Sequence, residues 1–449
     1  MKIKFLCLAM AMSLMFVACG GDDDSKDEGI VVPDSESPGS NVNSMTPKEQ
    51  KEYLEQTARQ LLSRINANDF KPVTDILNYV EEKYSGSEYY DYRTGKYVYE
   101  GYDNSVLDDW FESALELCEG TMSNNVQKNF YTAANFRARF VAGNNGWEKQ
   151  GSSDGLEFHF TDAQNQACVL KIWASDRYTK AHLSLLDETR WKYVNGKEIQ
   201  QRYENAIGVP AEATATLTRG GTTLVSVKVN TALKMAKEDI DLATDNYEAT
   251  ADVSTCGYNV VVEKASFMGD NKAYAAVKVF KGSEQLLSAE AEANGKVRLT
   301  TQSEYRYGYY REWTEFEVKE AGRGVFKVDV QGKVQAIGEI KDIDRFLDYS
   351  EKTHDNRWDE ANFKRAIDNA NEELNIGLYY DGKNTRMATV KLSTQTSRKY
   401  GEIYYEAVPA IYFNDGTSYS FEEYFDETYF KKVINNFEDL VNDFKHLIK

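Results

Sequence analysis

The feature that most constrains the fold is the alternation of apolar and polar residues between positions 136 and 340. The runs ATATLTRGGTTLVSVKV and YEATADVSTCGYNVVVEKASF turn at Gly220-Gly221 and Cys256-Gly257, and AYAAVKVFKGSEQLLSAEAEANG turns at Gly282. Alternation gives every strand one apolar face and one polar face. Strands joined by tight turns pair in antiparallel order. Residues 136–340 are therefore predicted to form a long curved antiparallel β-meander that is covered on one face.

Helical periodicity precedes this segment. Thr46 and Glu49 have the spacing of a capping box, and Pro47 occupies the first helical position. Further helices are predicted from Pro72 to Tyr84 and from Asn104 to Glu119, with Gly120 as the C-terminal cap. Residues 45–135 are therefore predicted to be a helical region that contains one tyrosine-rich hairpin.

The chain returns to helices and strands after the meander. Residues 341–449 are predicted to be a C-terminal α/β segment that packs back on the sheet, so the fold class is α+β. The last helix has the clearest apolar stripe, and we expect this stripe to pack in the core against the sheet. Its members are Phe430, Val433, Ile434, Phe437, Leu440, Val441, Phe444 and Leu447.

Aromatic residues form two dense groups in a chain that has 30 tyrosines and 6 tryptophans. The hairpin sequence EYYDYRTGKYVYEGYD carries Tyr89, Tyr90, Tyr92, Tyr97 and Tyr99. The second group is Tyr305, Tyr307, Tyr309, Tyr310 and Trp313. Aromatic rings pack well in strands, and exposed rings can instead bind a sugar or a protein. Both groups are candidate ligand-binding aromatics, and tyrosines on both faces of a short hairpin favour exposure there.

The N-terminus predicts export. Residues 1–18 have a basic start and an apolar run to Ala18, which is typical of a signal peptide. The junction Ala18-Cys19 resembles the cleavage site of bacterial lipoproteins, whose cysteine is acylated. The following Asp22, Asp23 and Asp24 resemble the surface-export signal of Bacteroidota lipoproteins. Residues 19–44 are predicted to be a lipidated, disordered, acidic tether.

The body also resembles Bacteroidota lipoproteins that have no established activity. The matching stretches are MTPKEQKEYLEQTA, ATLTRGGTTLVSVKV and FNDGTSYSFEEYF. This resemblance implies an outer-membrane protein that is anchored through lipid on Cys19 and exposed at the cell surface.

Charge and motifs exclude several chemistries. Removal of Lys2 and Lys4 with the signal leaves 51 basic and 72 acidic residues, a net charge of −21. Such a chain repels nucleic acid. GSSDG at 151–155 matches a hydrolase elbow, but a strand follows it, so we predict a hairpin turn. Histidines and cysteines lack ligand spacing. We therefore predict no catalytic residue, no metal site and no cofactor, and we expect Cys118 and Cys168 to be buried thiols.

The leading functional expectation is a non-catalytic binding or structural role, with a glycan or an envelope protein as the ligand. One alternative is a half-barrel that handles lipids or lipoproteins, which needs an open apolar cavity. A second alternative is a glycan-directed hydrolase, which needs two facing carboxylates about 5–9 Å apart.

Overall fold

The computed structural model describes residues 30, 32, 45–151, 153–182, 187–194, 196–235, 237–240, 245–268, 272–306, 309–380, 386–399, 402–424 and 431–447. It gives the backbone alone for residues 47, 87, 88, 97, 99, 192–194, 296–306, 309–321, 399, 431 and 444. The predicted signal peptide, Cys19, Asp22, Asp23, Asp24 and the Asp381-Gly382 turn lie outside the described residues.

The chain has an α+β fold, as predicted, with helices at both ends of a long β-rich segment. The helices are α1 (Pro47–Arg64), α2 (Lys71–Lys83), α3 (Ser105–Glu116), α4 (Ile343–Asp355), α5 (Glu360–Glu373), α6 (Phe421–Tyr424) and α7 (Lys431–Leu447). A 3₁₀ turn (Ala67–Phe70) joins α1 to α2, and a second one (Ala133–Phe136) precedes the fifth strand. The predicted capping box begins α1, because Glu49 N–H donates to Thr46 Oγ1 and Thr46 N–H donates to Glu49 Oε2.

The strands follow one another closely along the chain. They are β1 (Gly86–Asp91), β2 (Lys96–Gly101), β3 (Glu119–Ser123), β4 (Val126–Tyr131), β5 (Ala138–Ala142), β6 (Trp147–Lys149), β7 (Leu156–Thr161), β8 (Ala167–Ala174), β9 (Tyr178–His182), β10 (Glu188–Val194), β11 (Lys197–Pro210), β12 (Glu212–Arg219), β13 (Thr222–Lys234), β14 (Asn246–Thr255), β15 (Tyr258–Met268), β16 (Lys272–Lys281), β17 (Glu284–Arg306), β18 (Tyr309–Val330), β19 (Val334–Ile340), β20 (Leu374–Tyr380), β21 (Ala388–Lys399), β22 (Glu402–Phe413) and β23 (Ser418–Ser420).

The predicted meander supplies most of the main sheet, whose described part has 16 strands, and β20 to β23 from the segment 341–449 extend this sheet rather than pack on it. From β12 to β23 every strand pairs antiparallel with the next strand in the chain. The predicted turns are confirmed at Gly220-Gly221 and Cys256-Gly257. The φ angles are 55° for Gly220 and 81° for Gly221, and they are 52° for Cys256 and 83° for Gly257. These left-handed angles give the primed turns that match the twist of adjacent strands.

A second sheet interrupts the meander and was not predicted. Its strand order is β10-β11-β4-β3, and β9 also pairs with β11. β11 and β4 are parallel, and Asn129 Nδ2 donates to Asn205 Oδ1 at 3.0 Å across them. Two strands therefore lie inside the region 45–135 that we predicted to be helical. Gly120 is in β3 rather than at a helix cap, since α3 ends at Glu116.

The GSSDG stretch is not a hairpin turn, contrary to the prediction. It connects β6 to β7, and the order β8-β7-β5-β6 places β5 between these two strands. β5 pairs parallel with β7 and antiparallel with β6. As expected, a strand follows the stretch, so it lacks the helix that a nucleophile elbow requires.

The last helix packs differently from the prediction. α7 lies mainly against the N-terminal helical region, where Asn78 of α2 donates to Leu447 O at 2.7 Å. Val433 alone of its described apolar residues joins a core cluster with Ile411 and Phe413 of the sheet. Phe437 is 56% exposed. The apolar stripe of α5 does pack in the core, because Phe363, Ala366, Ile367 and Ala370 are all buried.

A polar node joins the N-terminal helices to the hairpin ends of the meander. Tyr258 begins β15, and its hydroxyl lies 2.9 Å from both Arg64 O and Asp69 Oδ2. It also accepts from Asn66 N–H at 3.1 Å. Lys281, at the end of β16, donates to the same Asp69 oxygen at 2.8 Å, and this bond lowers the pKa of Asp69. The node fixes the turn between α1 and α2 over the sheet.

We expect Tyr258→Phe to lower the free energy of unfolding by about 1–2 kcal/mol, because it removes a buried hydroxyl from three polar partners. Urea denaturation of the purified protein measures this loss. Tyr178→Phe is the matched control, since Tyr178 is 46% exposed and should change stability by less than about 0.5 kcal/mol. Equal stability of the two variants would contradict the role of the node.

Candidate functional site

The strongest candidate site is the hairpin formed by β1 and β2, residues 86–101, which we call the tyrosine hairpin. It is a two-stranded sheet that pairs with no other strand of the described chain. Its register places Tyr90 opposite Tyr97 and Tyr89 opposite Val98. Because neighbouring residues of a strand point to opposite faces, the tyrosines of this arm occupy both faces.

The first three predicted tyrosines are exposed to solvent. Tyr89, Tyr90 and Tyr92 have 49%, 41% and 89% of their surface accessible. The rings of Tyr90 and Tyr92 meet edge to face, with centroids 5.1 Å apart. Tyr97 and Tyr99 lie on β2, where the backbone alone is described. The prediction that tyrosines of this hairpin remain unburied is therefore confirmed for Tyr89, Tyr90 and Tyr92.

The tip of the hairpin is held by Asp91. Its carboxylate accepts from the Arg93 amide and from Thr94 Oγ1, both at 2.9 Å. Its carbonyl accepts from Gly95 N–H at 2.8 Å, and Gly95 has a left-handed φ of 66°. These hydrogen bonds, led by the one from Arg93, lower the pKa of Asp91. The turn that carries Tyr92 is therefore ordered by its own sequence.

The base of the hairpin is clamped by two buried tyrosines. Tyr84 and Tyr102 immediately flank the arm, and their ring centroids are 5.0 Å apart. The Tyr102 hydroxyl lies 2.7 Å from Gly146 O and 3.0 Å from Gly143 O. Burial, with a further effect of Tyr84, raises the pKa of Tyr102 to about 12. The hydroxyl therefore stays protonated and donates to these carbonyls.

Two glycines bring the strands together at this base. Gly86 is opposite Gly101, and a Cβ on Gly86 would lie 1.9 Å from Tyr102 O. Gly101 also has a φ of 90°. Sequence reasoning did not identify this closure, although glycines at both ends of a tyrosine-rich run were visible.

The second aromatic group lies on a long β-ribbon. β16 pairs with β17 as far as Asn294, and β19 pairs with β18 only from Gly324 onward. Between them β17 and β18 continue as a two-stranded extension in which Tyr305 pairs with Tyr310 and Gln302 with Trp313. The backbone alone is described for Tyr305, Tyr309, Tyr310 and Trp313, and Tyr307 lies outside the described residues. The structure therefore places the four described members of this group on the part of β17 and β18 that pairs with neither β16 nor β19.

A separate charged cluster surrounds Glu157 on the main sheet. The strand register places Glu157 of β7 directly opposite Arg139 of β5 on one side and Lys171 of β8 on the other. Glu157 accepts from Arg139 at 2.8 Å and from Ser153 at 2.7 Å, contacts His159 Nε2 at 3.0 Å, and lies 3.3 Å from Lys171 Nζ. Burial alone would raise its pKa, but these hydrogen bonds outweigh burial and lower the pKa to about 2.

This cluster does not have the geometry of a hydrolytic triad. A triad places the imidazole between the serine and the carboxylate. Here the Glu157 carboxylate lies between Ser153 and His159. Both carboxylate oxygens are occupied and the pKa is low, so Glu157 cannot serve as a general acid near neutral pH. The cluster joins three strands of the sheet, and no motif of the sequence marks Arg139, Glu157 or Lys171.

A groove of about 550 Å³ runs between α1 and α7. Its lining is polar and consists of Glu52, Glu55, Gln56, Arg59, Gln60, Ser63 and Asn436. Such a lining does not provide the apolar cavity that a lipid carrier needs.

The cysteine prediction is confirmed. Cys118 and Cys168 are free, buried thiols, and burial raises the pKa of each. Cys256 is also free and partly exposed.

We expect Glu157→Gln to destabilise the protein by roughly 2 kcal/mol at pH 7. The folded-state pKa of about 2 lies below the ordinary value of 4.5, so ionised Glu157 stabilises the fold above pH 4.5. This contribution is lost as the pH falls from 4.5 through 2. Urea denaturation across pH 2–7 should show a flatter profile for Glu157→Gln. Glu52→Gln is the control, because the Glu52 side chain is 62% exposed and this variant should keep the wild-type pH profile. A wild-type pH profile for Glu157→Gln would contradict a stabilising role of ionised Glu157.

Comparisons with known proteins leave the site to be judged on its own geometry. No protein-family model, curated protein or solved structure matches the chain. Within the described ranges no helix is both long and apolar enough to cross a membrane. The same ranges contain no cluster of three or more side chains suited to hold a metal ion. The tyrosine hairpin, with three exposed tyrosines, is thus the feature with the clearest capacity to bind.

Proposed function

We propose that this protein is a lipid-anchored protein of the outer-membrane surface that binds a protein ligand through the tyrosine hairpin and catalyses no reaction. The observation that carries the proposal is the exposure of Tyr89, Tyr90 and Tyr92 on an arm that is clamped at its base and has a hydrogen-bonded turn at its tip. Tyrosine gives a large contact area for little loss of side-chain entropy, and a fixed backbone reduces the ordering cost further.

The shape of the arm favours a protein over a glycan at this site. A glycan that stacks on aromatic rings also needs hydrogen-bonding groups beside those rings on the same face. The tyrosine hairpin projects and carries rings on both faces, so it suits insertion into a groove of a partner. Its turn also supplies Arg93 and Asp91, although Asp91 is engaged within the turn.

The anchor is proposed from the sequence. Cys19 would carry the lipid, Asp22, Asp23 and Asp24 would direct surface export, and residues 19–44 would act as a spacer. A coil of this length spans on the order of 25–30 Å. Because α1 begins at Pro47, the body would start immediately after this spacer.

Two observations favour binding over the alternatives. The groove between α1 and α7 has a polar lining, which is unsuited to lipid handling. Glu157, whose pKa is lowered to about 2, is held by four side chains and cannot donate a proton near neutral pH. A glycan-directed hydrolase needs a free pair of carboxylates with distinct protonation states.

Cys19→Ala should move the protein from the membrane fraction to the soluble fraction, because the lipid attachment point is lost. Immunoblots of fractionated cells measure this shift. Retention of Cys19→Ala in the membrane would contradict the anchor.

A variant with Asp22, Asp23 and Asp24 changed to alanine separates sorting from anchoring. It should remain in the membrane fraction but resist protease added to intact cells, whereas the wild type is digested. Digestion of this variant at the wild-type rate would contradict the sorting role.

A photo-crosslinking amino acid at position 92 should capture a partner protein on intact cells. The same amino acid at Tyr178 is the matched control, since Tyr178 is exposed on another sheet. We expect a discrete adduct from position 92 that disappears when Tyr89 and Tyr90 are changed to alanine. Equal adducts from both positions, or an adduct to polysaccharide alone, would contradict the proposal.

A further inference from the structure

Another aromatic surface, distinct from the tyrosine hairpin and from the group on β17 and β18, lies near the β23 end of the main sheet. Here the turn between α4 and α5 covers the edge of β22. Tyr405 N–H donates to Arg357 O at 2.8 Å, which ties this turn to the strand. Asp359 caps α5 by accepting from the amides of Ala361 and Asn362. The turn is therefore fixed on both sides of Trp358.

Two rings pack against neighbouring tyrosines of β22, one on each face of the strand. Phe363 packs on one side with its centroid 5.7 Å from that of Tyr405, and it is 1% exposed. Trp358 packs on the other side with its centroid 5.5 Å from that of Tyr404, and it is 49% exposed. Phe363 alone provides the buried packing. Trp358 keeps about half of its surface accessible beside Tyr404, so this ring pair is open to contact by a ligand.

Polar side chains lie beside these rings on the same sheet face. Alternation puts Glu402 and Glu406 on the face of Tyr404. The register places Ser397 opposite Tyr404 and Gln395 opposite Glu406. Ser397 Oγ donates to Glu406 Oε2 at 2.8 Å. A ring pair is thus bordered by a hydroxyl, an amide and carboxylates.

This combination matches one ligand chemistry better than others. A pyranose ring has an apolar C–H face that can cover an indole, and hydroxyls that bond to carboxylate, amide and hydroxyl groups. Anionic ligands would meet Glu402 and Glu406 in a chain of net charge −19. The surface therefore favours an uncharged carbohydrate.

We propose that Trp358 and Tyr404, here called the aromatic platform, bind a sugar ring of a neutral polysaccharide, with Glu406 and Gln395 accepting and donating hydrogen bonds to its hydroxyls. The platform is separate in sequence and in strand order from the tyrosine hairpin. Its test is therefore independent of the protein ligand proposed for the hairpin.

The test uses the chain from residue 20 onward and an array of neutral glucans and mannans, followed by titration with each glycan that is retained. The wild type should bind at least one neutral glycan with a change in indole fluorescence. Trp358→Ala should weaken this binding at least tenfold. Trp191→Ala is the matched control, because Trp191 is 66% exposed on the second sheet and should leave binding unchanged.

Glu406→Gln is a second binding-site variant, which keeps the test valid if Trp358→Ala fails to fold. This exposed position should tolerate the change, keep the wild-type circular dichroism and thermal midpoint, and weaken glycan binding severalfold. Alanine at Tyr89, Tyr90 and Tyr92 should leave glycan binding intact. The proposal is overturned if no neutral glycan binds, if Trp191→Ala loses as much affinity as Trp358→Ala, if Glu406→Gln binds as the wild type, or if only cationic peptides bind.

Discussion

The rest of the structure depends on one constraint, which is the need to cover the apolar face of a very long antiparallel sheet. Twelve consecutive strands, β12 to β23, pair in order and present small and β-branched residues on one face. An open sheet of this length cannot bury that face on itself without curling. The N-terminal helices provide part of the cover and α5 provides another part. Tyr258, Asp69 and Lys281 fix the turn between α1 and α2 to the strand ends.

This cover also explains how α1 comes to lie against the C-terminal strands and α7. α1 packs its Tyr53 and Leu54 against Tyr380 and neighbouring residues of the C-terminal strands. The buried Lys51 lies over the ring of Tyr419, 3.2 Å from its centroid. α7 then packs on α1 rather than on the sheet, because α1 already occupies that position.

The parts of the fold that were predictable are those encoded by neighbouring residues. Alternation and the pairs Gly220-Gly221 and Cys256-Gly257 determine hairpins locally, and the strands follow. The second sheet depends instead on a parallel contact between β4 and β11, which are 76 residues apart at Asn129 and Asn205. No local pattern marks such a partner. The prediction of Gly120 as a helix cap is wrong because a glycine that follows an apolar stripe has the same local pattern at a helix end and in a strand.

The same distinction applies to the candidate sites. The exposure of Tyr89, Tyr90 and Tyr92 was predictable, since one short arm cannot bury rings on both of its faces. The Glu157 cluster needed the register of three strands to bring Arg139 and Lys171 beside the carboxylate. The aromatic platform needed a helix–helix turn to cross the edge of β22. Neither juxtaposition follows from spacing along the chain.

The acidity of the chain and its aromatic surfaces have complementary consequences for recognition. A net charge of −19 disfavours anionic partners through long-range repulsion, which salt screens over about 10 Å. Ring stacking acts only at contact and depends little on ionic strength. Contact through Tyr92 or Trp358 should therefore persist at salt concentrations that abolish charge-driven association. A protein built in this way would select ligands by shape and apolar area, with its charge limiting which molecules approach.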